Sequence, residues 1–183
     1  ARILAAEAMF RTATLGDPTI LEQSTDPIHN NRLRVFAAAT LTLTDRANMK
    51  SIIREALSSD DPAARYIAAD VIPLIGDRDI DIPTLIDKKD LANSDFESLY
   101  FVRALAIFGT EAARKELIGF LKHTDPTIRS RAAFAMAEAW HIDHTDRLIA
   151  LLDDPALSVR VRAAQALFTL SNPTSPYRYL SLR

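Results

Sequence analysis

The apolar positions of this chain fall on helical stripes, and one short arrangement of them keeps returning. Its clearest form is Val159-Arg-Val-Arg-Ala-Ala-Gln-Ala-Leu167. Graded copies begin at Ala1, Leu33, Ala64, Leu99, Ile128 and Val159, at intervals of about 29–35 residues, the spacing of a stacked repeat array. Apolar residues open and close each copy, with small ones between at steps of four, so one face of an α-helix is apolar. The period-two alternation of a half-buried strand is absent. The sixth position is always alanine (Ala6, Ala38, Ala69, Ala104, Ala133 and Ala164), and the fifth is alanine except at Arg103. Small side chains on the buried stripe let neighbouring backbones approach, so each motif helix is expected to lie between others, with Ala133 and Ala164 at helix contacts.

Shorter amphipathic stretches alternate with the motif. Residues 45–58 place Met49, Ile52, Ile53, Ala56 and Leu57 on one face, and Leu117-Ile118 with Leu121 and Leu148-Ile149 with Leu152 recur at equivalent places. Asp17-Pro18 starts a new element, Asp61-Pro62 and Asp125-Pro126 read as an aspartate cap with proline at the first helical position, and Asp154-Pro155 opens the turn that leads to the last motif helix. Pro73 lies inside a motif helix and is expected to kink it near Ala69 or shorten it. Asp77 to Asp81 reads as a charged turn before a short helix over 83–91, and Ser94-Asp95 as the cap of the next helix. The copy from Leu99 is the most aromatic, which suits a bulkier core layer or a ligand-binding one. Pro173 and Pro176 stop the last helix, and the tail 173–183, with Tyr177, Tyr179, Leu180 and Leu182, is expected to cap the array.

The pattern aliphatic-Arg-x-x-Ala-Ala-x-Ala-aliphatic, often after Asp-Pro, resembles the second helix of HEAT-like repeats, the phycobilisome-lyase type included. The resemblance covers Ala1 to about Asn172. It implies an all-α, right-handed α-solenoid (α-α superhelix) of about five and a half helix-pair repeats over 1–172. It also implies a non-enzymatic protein–protein interaction scaffold or adaptor, with a protein partner docked along the second helices. Ankyrin and tetratricopeptide signatures are missing. The HEAT-like group includes some enzymes, and a chromophore-lyase-like subunit stays open as an alternative. Its di-iron hydroxylases carry paired His-Glu motifs, whereas the histidines here precede Asn30, Thr124, Ile142 and Thr145. Its DNA glycosylases present aromatic and basic residues to DNA, whereas this chain has one tryptophan, Trp140, and no positive excess.

Composition narrows the partners more than the fold. A net charge of −2 gives no general pull toward nucleic acid or anionic membrane, so nucleic acid is not an expected partner. With no cysteine there are no disulfides and no thiolate metal sites. No apolar run approaches the ~20 residues of a membrane span; the compartment is left open, with a cytoplasmic setting slightly favoured. Glycine-rich phosphate loops and nucleophile elbows are absent. His141, Asp143, His144 and Asp146 are the densest group of possible metal ligands, but they read as a polar turn, and no metal or cofactor is expected. Because Ala1 falls at the opening column of a repeat, further repeats or a domain upstream are expected.

The arginines carry the remaining chemistry. Arg2, Arg34, Arg65, Arg129 and Arg160 hold the second motif position, with Tyr100 as the exception. The resemblance implies that this column is structural, a ladder in which Arg34, Arg65, Arg129 and Arg160 bond the turn aspartates Asp61, Asp125 and Asp154. Arg131 and Arg162 share a different column, and Arg32 precedes its motif. Those three have no such task and are the candidate partner contacts. A cationic stripe on a concave face, binding a polyanion or nucleic acid, is the alternative.

Overall fold

The computed structural model describes residues 2–12, 17–139 and 142–172. Every regular element among them is helical. The motif copies form α1 (Arg2–Thr12), α3 (Asn31–Leu43), α5 (Pro62–Ile75), α7 (Asp95–Ile107), α9 (Pro126–Glu138) and α11 (Leu157–Ser171). Between them run α2 (Pro18–Ser24), α4 (Lys50–Ala56), α6 (Arg78–Asp90), α8 (Glu111–Phe120) and α10 (Thr145–Ala150), with 3-10 turns at Ile142–His144 and Leu151–Asp153. The fold is all-α and of the α-solenoid class. Contacts divide the chain into two compact units, residues 1–81 and 82–183. No helix among the described residues is long and apolar enough to cross a membrane.

In the first unit, α3 packs against α1 and α5, with α2 and α4 beside it. The adjacent alanines of the motif share the work. Ala6 of α1 clusters with Leu33 and Phe36 of the following copy, while Ala37 of α3 clusters with Leu41 and Leu21, against which Met9 of the preceding copy packs. In this unit the fifth position thus looks back and the sixth looks forward, so small residues suit both.

Three local expectations change. The helix expected over 45–58 is only α4, because Asp45 takes a left-handed conformation (φ 55°) and Met49 supplies no side-chain cap. Instead, Thr42 Oγ1 accepts the Met49 N–H at 3.0 Å and holds the turn. Pro73 does not shorten α5, which continues to Ile75. It falls in the last turn, where it forfeits the bond to the Ala69 carbonyl and crowds that carbonyl, but only two helical residues follow it. The charged stretch Asp77–Asp81 is the start of α6 rather than a turn before it. Asp77 accepts the Asp79 N–H, Asp79 and Asp81 suit the positive end of the helix, and Pro83 is carried inside it. Gly76 makes this start possible, since a Cβ there would stand 2.5 Å from Asp81 Oδ2.

The second unit stacks α7, α9 and α11, with α8 and α10 alongside. Leu99, Phe101, Leu105, Ile128, Met136 and Val159 fill its interior together with Leu117 and Leu148 of the shorter helices. The aromatic copy thus supplies a bulky core layer through Phe101, while Phe96 and Tyr100 stay partly exposed. Ala133 is fully buried, as a helix contact requires. Ala164 is not: it is exposed, while its neighbour Ala163 is buried against the stack. The split of the alanine pair accounts for this, because 164 is the position that looks forward.

Candidate partner-binding face

The second-position arginines first serve their own turns. Arg65 Nη1 donates to Ser59 O at 2.7 Å, Arg129 Nη1 to His123 O at 2.7 Å and Arg160 Nη1 to Asp154 O at 2.9 Å, each six residues upstream. Arg34 reaches further, its Nε donating to Thr25 O at 3.1 Å and its Nη1 to Asn31. Carbonyls at the end of one helix are thereby satisfied from the start of the next.

Arg129 also forms the expected rung. It holds Asp154 with two bonds of 2.8 Å, and the side chains are 13% and 6% exposed. In the first unit the rung to Asp61 exists, but Arg32 makes it, at 2.8 and 3.0 Å. Arg34 is turned toward Thr25 and lies 3.7 Å from Glu55, and Arg65 toward Ser59. Arg32, a candidate contact residue in the sequence, therefore has an internal task. Asp125 has no arginine bonded to it among the described residues, and its carboxylate caps the Thr127 N–H at 2.7 Å. The residue in the ladder column one copy earlier is Tyr100. A histidine bridges that level: His123 Nδ1 accepts the Asp125 N–H, so Nε2 carries the ring proton and donates to Asp95 at 3.0 Å.

All three turn carboxylates are held below the usual range. For Asp154 the cause is foremost the bond from Arg129, for Asp61 the bond from Arg32, and for Asp125 the Thr127 backbone N–H. Asp154 and Asp61 are also pushed the other way by burial, which the arginines outweigh.

Sequence reasoning missed three cross-links. Arg54 grips buried Asp81 at 2.6 and 3.1 Å, Arg103 grips Glu138 at 2.6 and 2.7 Å, and Lys89 meets Glu116 at 3.3 Å. Arg103 was the legible one. It breaks an alanine column that is buried at Ala37, Ala68, Ala132 and Ala163, and a charge there requires a counter-charge on the facing helix.

Arg131 and Arg162 lie outside this internal wiring. The Arg131 guanidinium sits 4.9 Å from the Phe96 ring centre and 5.4 Å from that of Tyr100, and its Nη1 is 2.6 Å from the Tyr100 hydroxyl. Arg162 sits 5.1 Å from the Phe134 ring centre, with Nη1 donating to Gln165 at 3.1 Å. Each arginine thus leans back onto an aromatic ring of the preceding motif helix. Both are exposed, and no carboxylate among the described residues bonds either one.

Other concavities are weaker. An open depression in the first unit contains Asn31, Arg34, Glu55 and Ser59, but these groups already bond one another or the backbone. Trp140, His141 and the tail 173–183 lie outside the described residues, so neither the His141-Asp143-His144-Asp146 group nor the capping tail is placed.

Residues 98–168 match the family model of HEAT repeats. The match spans α7 to most of α11, the stretch where the motif copies are best formed. No curated protein matches the chain.

Proposed function

We propose that the chain is a non-enzymatic protein-interaction module whose second unit docks a protein partner along the exposed side of α7, α9 and α11. The observation that carries this reading is the pair Arg131 and Arg162. Arg32, Arg34, Arg54, Arg103, Arg129 and Arg160 end on carboxylates or turn carbonyls, whereas these two hold equivalent repeat positions, rest on aromatic rings and meet no described carboxylate. Arginines held in this way suit interface anchors, because the cation–π contact restricts the side chain before a partner arrives. HEAT repeats generally serve protein–protein interaction, in keeping with the family match at residues 98–168. A polyanion-binding role draws less support, since Arg32, the third candidate, is bound to Asp61 and net charge is −2.

The test is partner capture with the wild-type chain and with R131A/R162A, followed by direct binding of each purified, identified protein. A partner bound at least fivefold more weakly by the double variant, whose unfolding midpoint is unchanged, supports the module. Partners that bind both chains equally remove this face from the function.

A further inference from the structure

We infer that the arginine–aromatic ridge of the second unit takes an extended acidic segment of its partner, with carboxylates at positions i and i+3. This rests on the protein-interaction reading above and names the chemistry that the ridge selects. Arg131 and Arg162 both occupy the fourth motif position, on helices packed directly against each other. Both lean the same way, onto Phe96 and Tyr100 in one case and Phe134 in the other. Packed helices stand ~8–10 Å apart, so the two guanidiniums repeat at about that spacing.

Few peptide conformations present acids at that interval on one side. An α-helix places same-face residues i and i+4 only ~6 Å apart and i and i+7 ~10.5 Å apart, which brackets the interval without matching it. A β-strand offers ~7 Å at i+2 or ~13 Å at i+4, neither of which fits. Polyproline II has three residues per turn and rises ~3.1 Å per residue, so i and i+3 face the same way about 9 Å apart. A Glu-x-x-Glu segment in that conformation can meet both arginines at once.

The donors are available for it. A guanidinium carries five N–H donors, and a cation–π contact leaves others of them for hydrogen bonds. Arg131 spends one nitrogen on Tyr100 and Arg162 one on Gln165, which leaves edge donors for a carboxylate on each. The same stacking argues against single-stranded nucleic acid. Bases would need the ring faces of Phe96, Tyr100 and Phe134, and the guanidiniums lie over them.

Fluorescence anisotropy on the full chain tests this with a labelled proline-rich Glu-x-x-Glu peptide, its Gln-x-x-Gln counterpart, a peptide with adjacent glutamates, and a single-stranded oligonucleotide. The expected result is at least tenfold tighter binding of Glu-x-x-Glu than of the Gln peptide, and at least threefold tighter than of the adjacent pair. R131A and R162A should each weaken it about fivefold, with R131K and R162K between. Equal binding of the Glu and Gln peptides overturns the inference, as does binding unchanged in R131A/R162A or tighter binding of the oligonucleotide. If these peptides fail while R131A/R162A still loses an identified protein partner, only the acidic-segment inference falls. If the double variant retains every partner, the docking face falls with it.

Discussion

The copies built on α9 and α11 carry nearly the same residues, yet they are held in opposite ways. Both begin after Asp-Pro. Asp154, at the start of the α11 copy, is buried in a two-bond grip from Arg129, whereas Asp125, at the start of the α9 copy, is exposed and only caps its own helix. The forward faces reverse this order. On α9, Ser130, Ala133 and Ala137 are buried, and on α11 the equivalent Val161, Ala164 and Phe168 are exposed, Phe168 by 58%. One copy is loosely anchored at its turn and closed on its face, and the other is tightly anchored and open. A repeat's own letters therefore do not set its local stability. The residue one copy earlier sets the anchor, and whatever packs on the forward face decides the rest.

The largest break in this comparison is Asp154→Ala. It removes both bonds from Arg129 and the bond to the Ala156 N–H, and leaves a part-buried guanidinium without its counter-charge. The expected loss is about 2–3 kcal/mol in denaturant unfolding. Asp125→Ala should lower the midpoint by clearly less than half as much. Equal losses would mean that the arginine rung contributes nothing beyond the turn.

The alanine column gives the next contrast. Ala133→Leu forces three heavy atoms into a closed helix contact and should destabilise by ~1–3 kcal/mol. Ala164→Leu, at the same position on the open face, should stay within about 0.5 kcal/mol of the parent. A large penalty at 164 would show that the α11 face is covered.

Acid should separate the two turns as well. Arg129 holds Asp154 below its ordinary value, so the folded carboxylate has a lower pKa than the unfolded one. Its contribution is then complete above the unfolded value, ~3.9, and disappears as pH falls through the lower folded value. The midpoint difference between wild type and Asp154→Asn should be constant from pH 7 to about pH 5 and shrink below about pH 4. A difference that does not change down to pH 2 would exclude a charged Asp154 as the holder of Arg129.

Much of this was legible beforehand. The motif period placed α1, α3, α5, α7, α9 and α11, since a column of small residues every eight or nine turns of sequence has few other uses in a helical chain. Asp61, Asp125 and Ser94 were readable as caps because the cap interaction is local. Ladder partners were less legible. Arg32 and Arg34 stand two residues apart on one helix, and the rung falls to Arg32 while Arg34 is engaged by Thr25 O, Asn31 and Glu55, none of which the motif column announces. The exposure of Ala164 was not legible at all, because the letters of the two alanines are identical and only the neighbour differs. For the candidate site, the sequence separated Arg131 and Arg162 from the ladder by column. It did not reveal Phe96, Tyr100 and Phe134 as their platforms, since those rings lie on the preceding helix at different motif positions.

The smallest effect is also the most direct test of why the two turns differ. Arg129 stands 25 residues before Asp154, and Tyr100 stands 25 residues before Asp125. Tyr100→Arg should therefore supply the missing rung. The Asp125 carboxylate already accepts the Thr127 N–H through Oδ1, and His123 engages its backbone N–H rather than its carboxylate, so the other oxygen can receive an arginine. Stability alone would not reveal this, because the substitution also removes the hydroxyl bonded to Arg131 and one of its two rings. A double-mutant cycle separates the terms, since the loss at Arg131 is common to both Tyr100→Arg backgrounds and cancels. The expected outcome is that Asp125→Ala costs more in the Tyr100→Arg background than in the wild type, and that the excess fades as salt rises, because this turn is exposed. Strict additivity at low salt would show that the column position alone does not build a rung, and that the burial around Asp154 is what makes the grip of Arg129 effective.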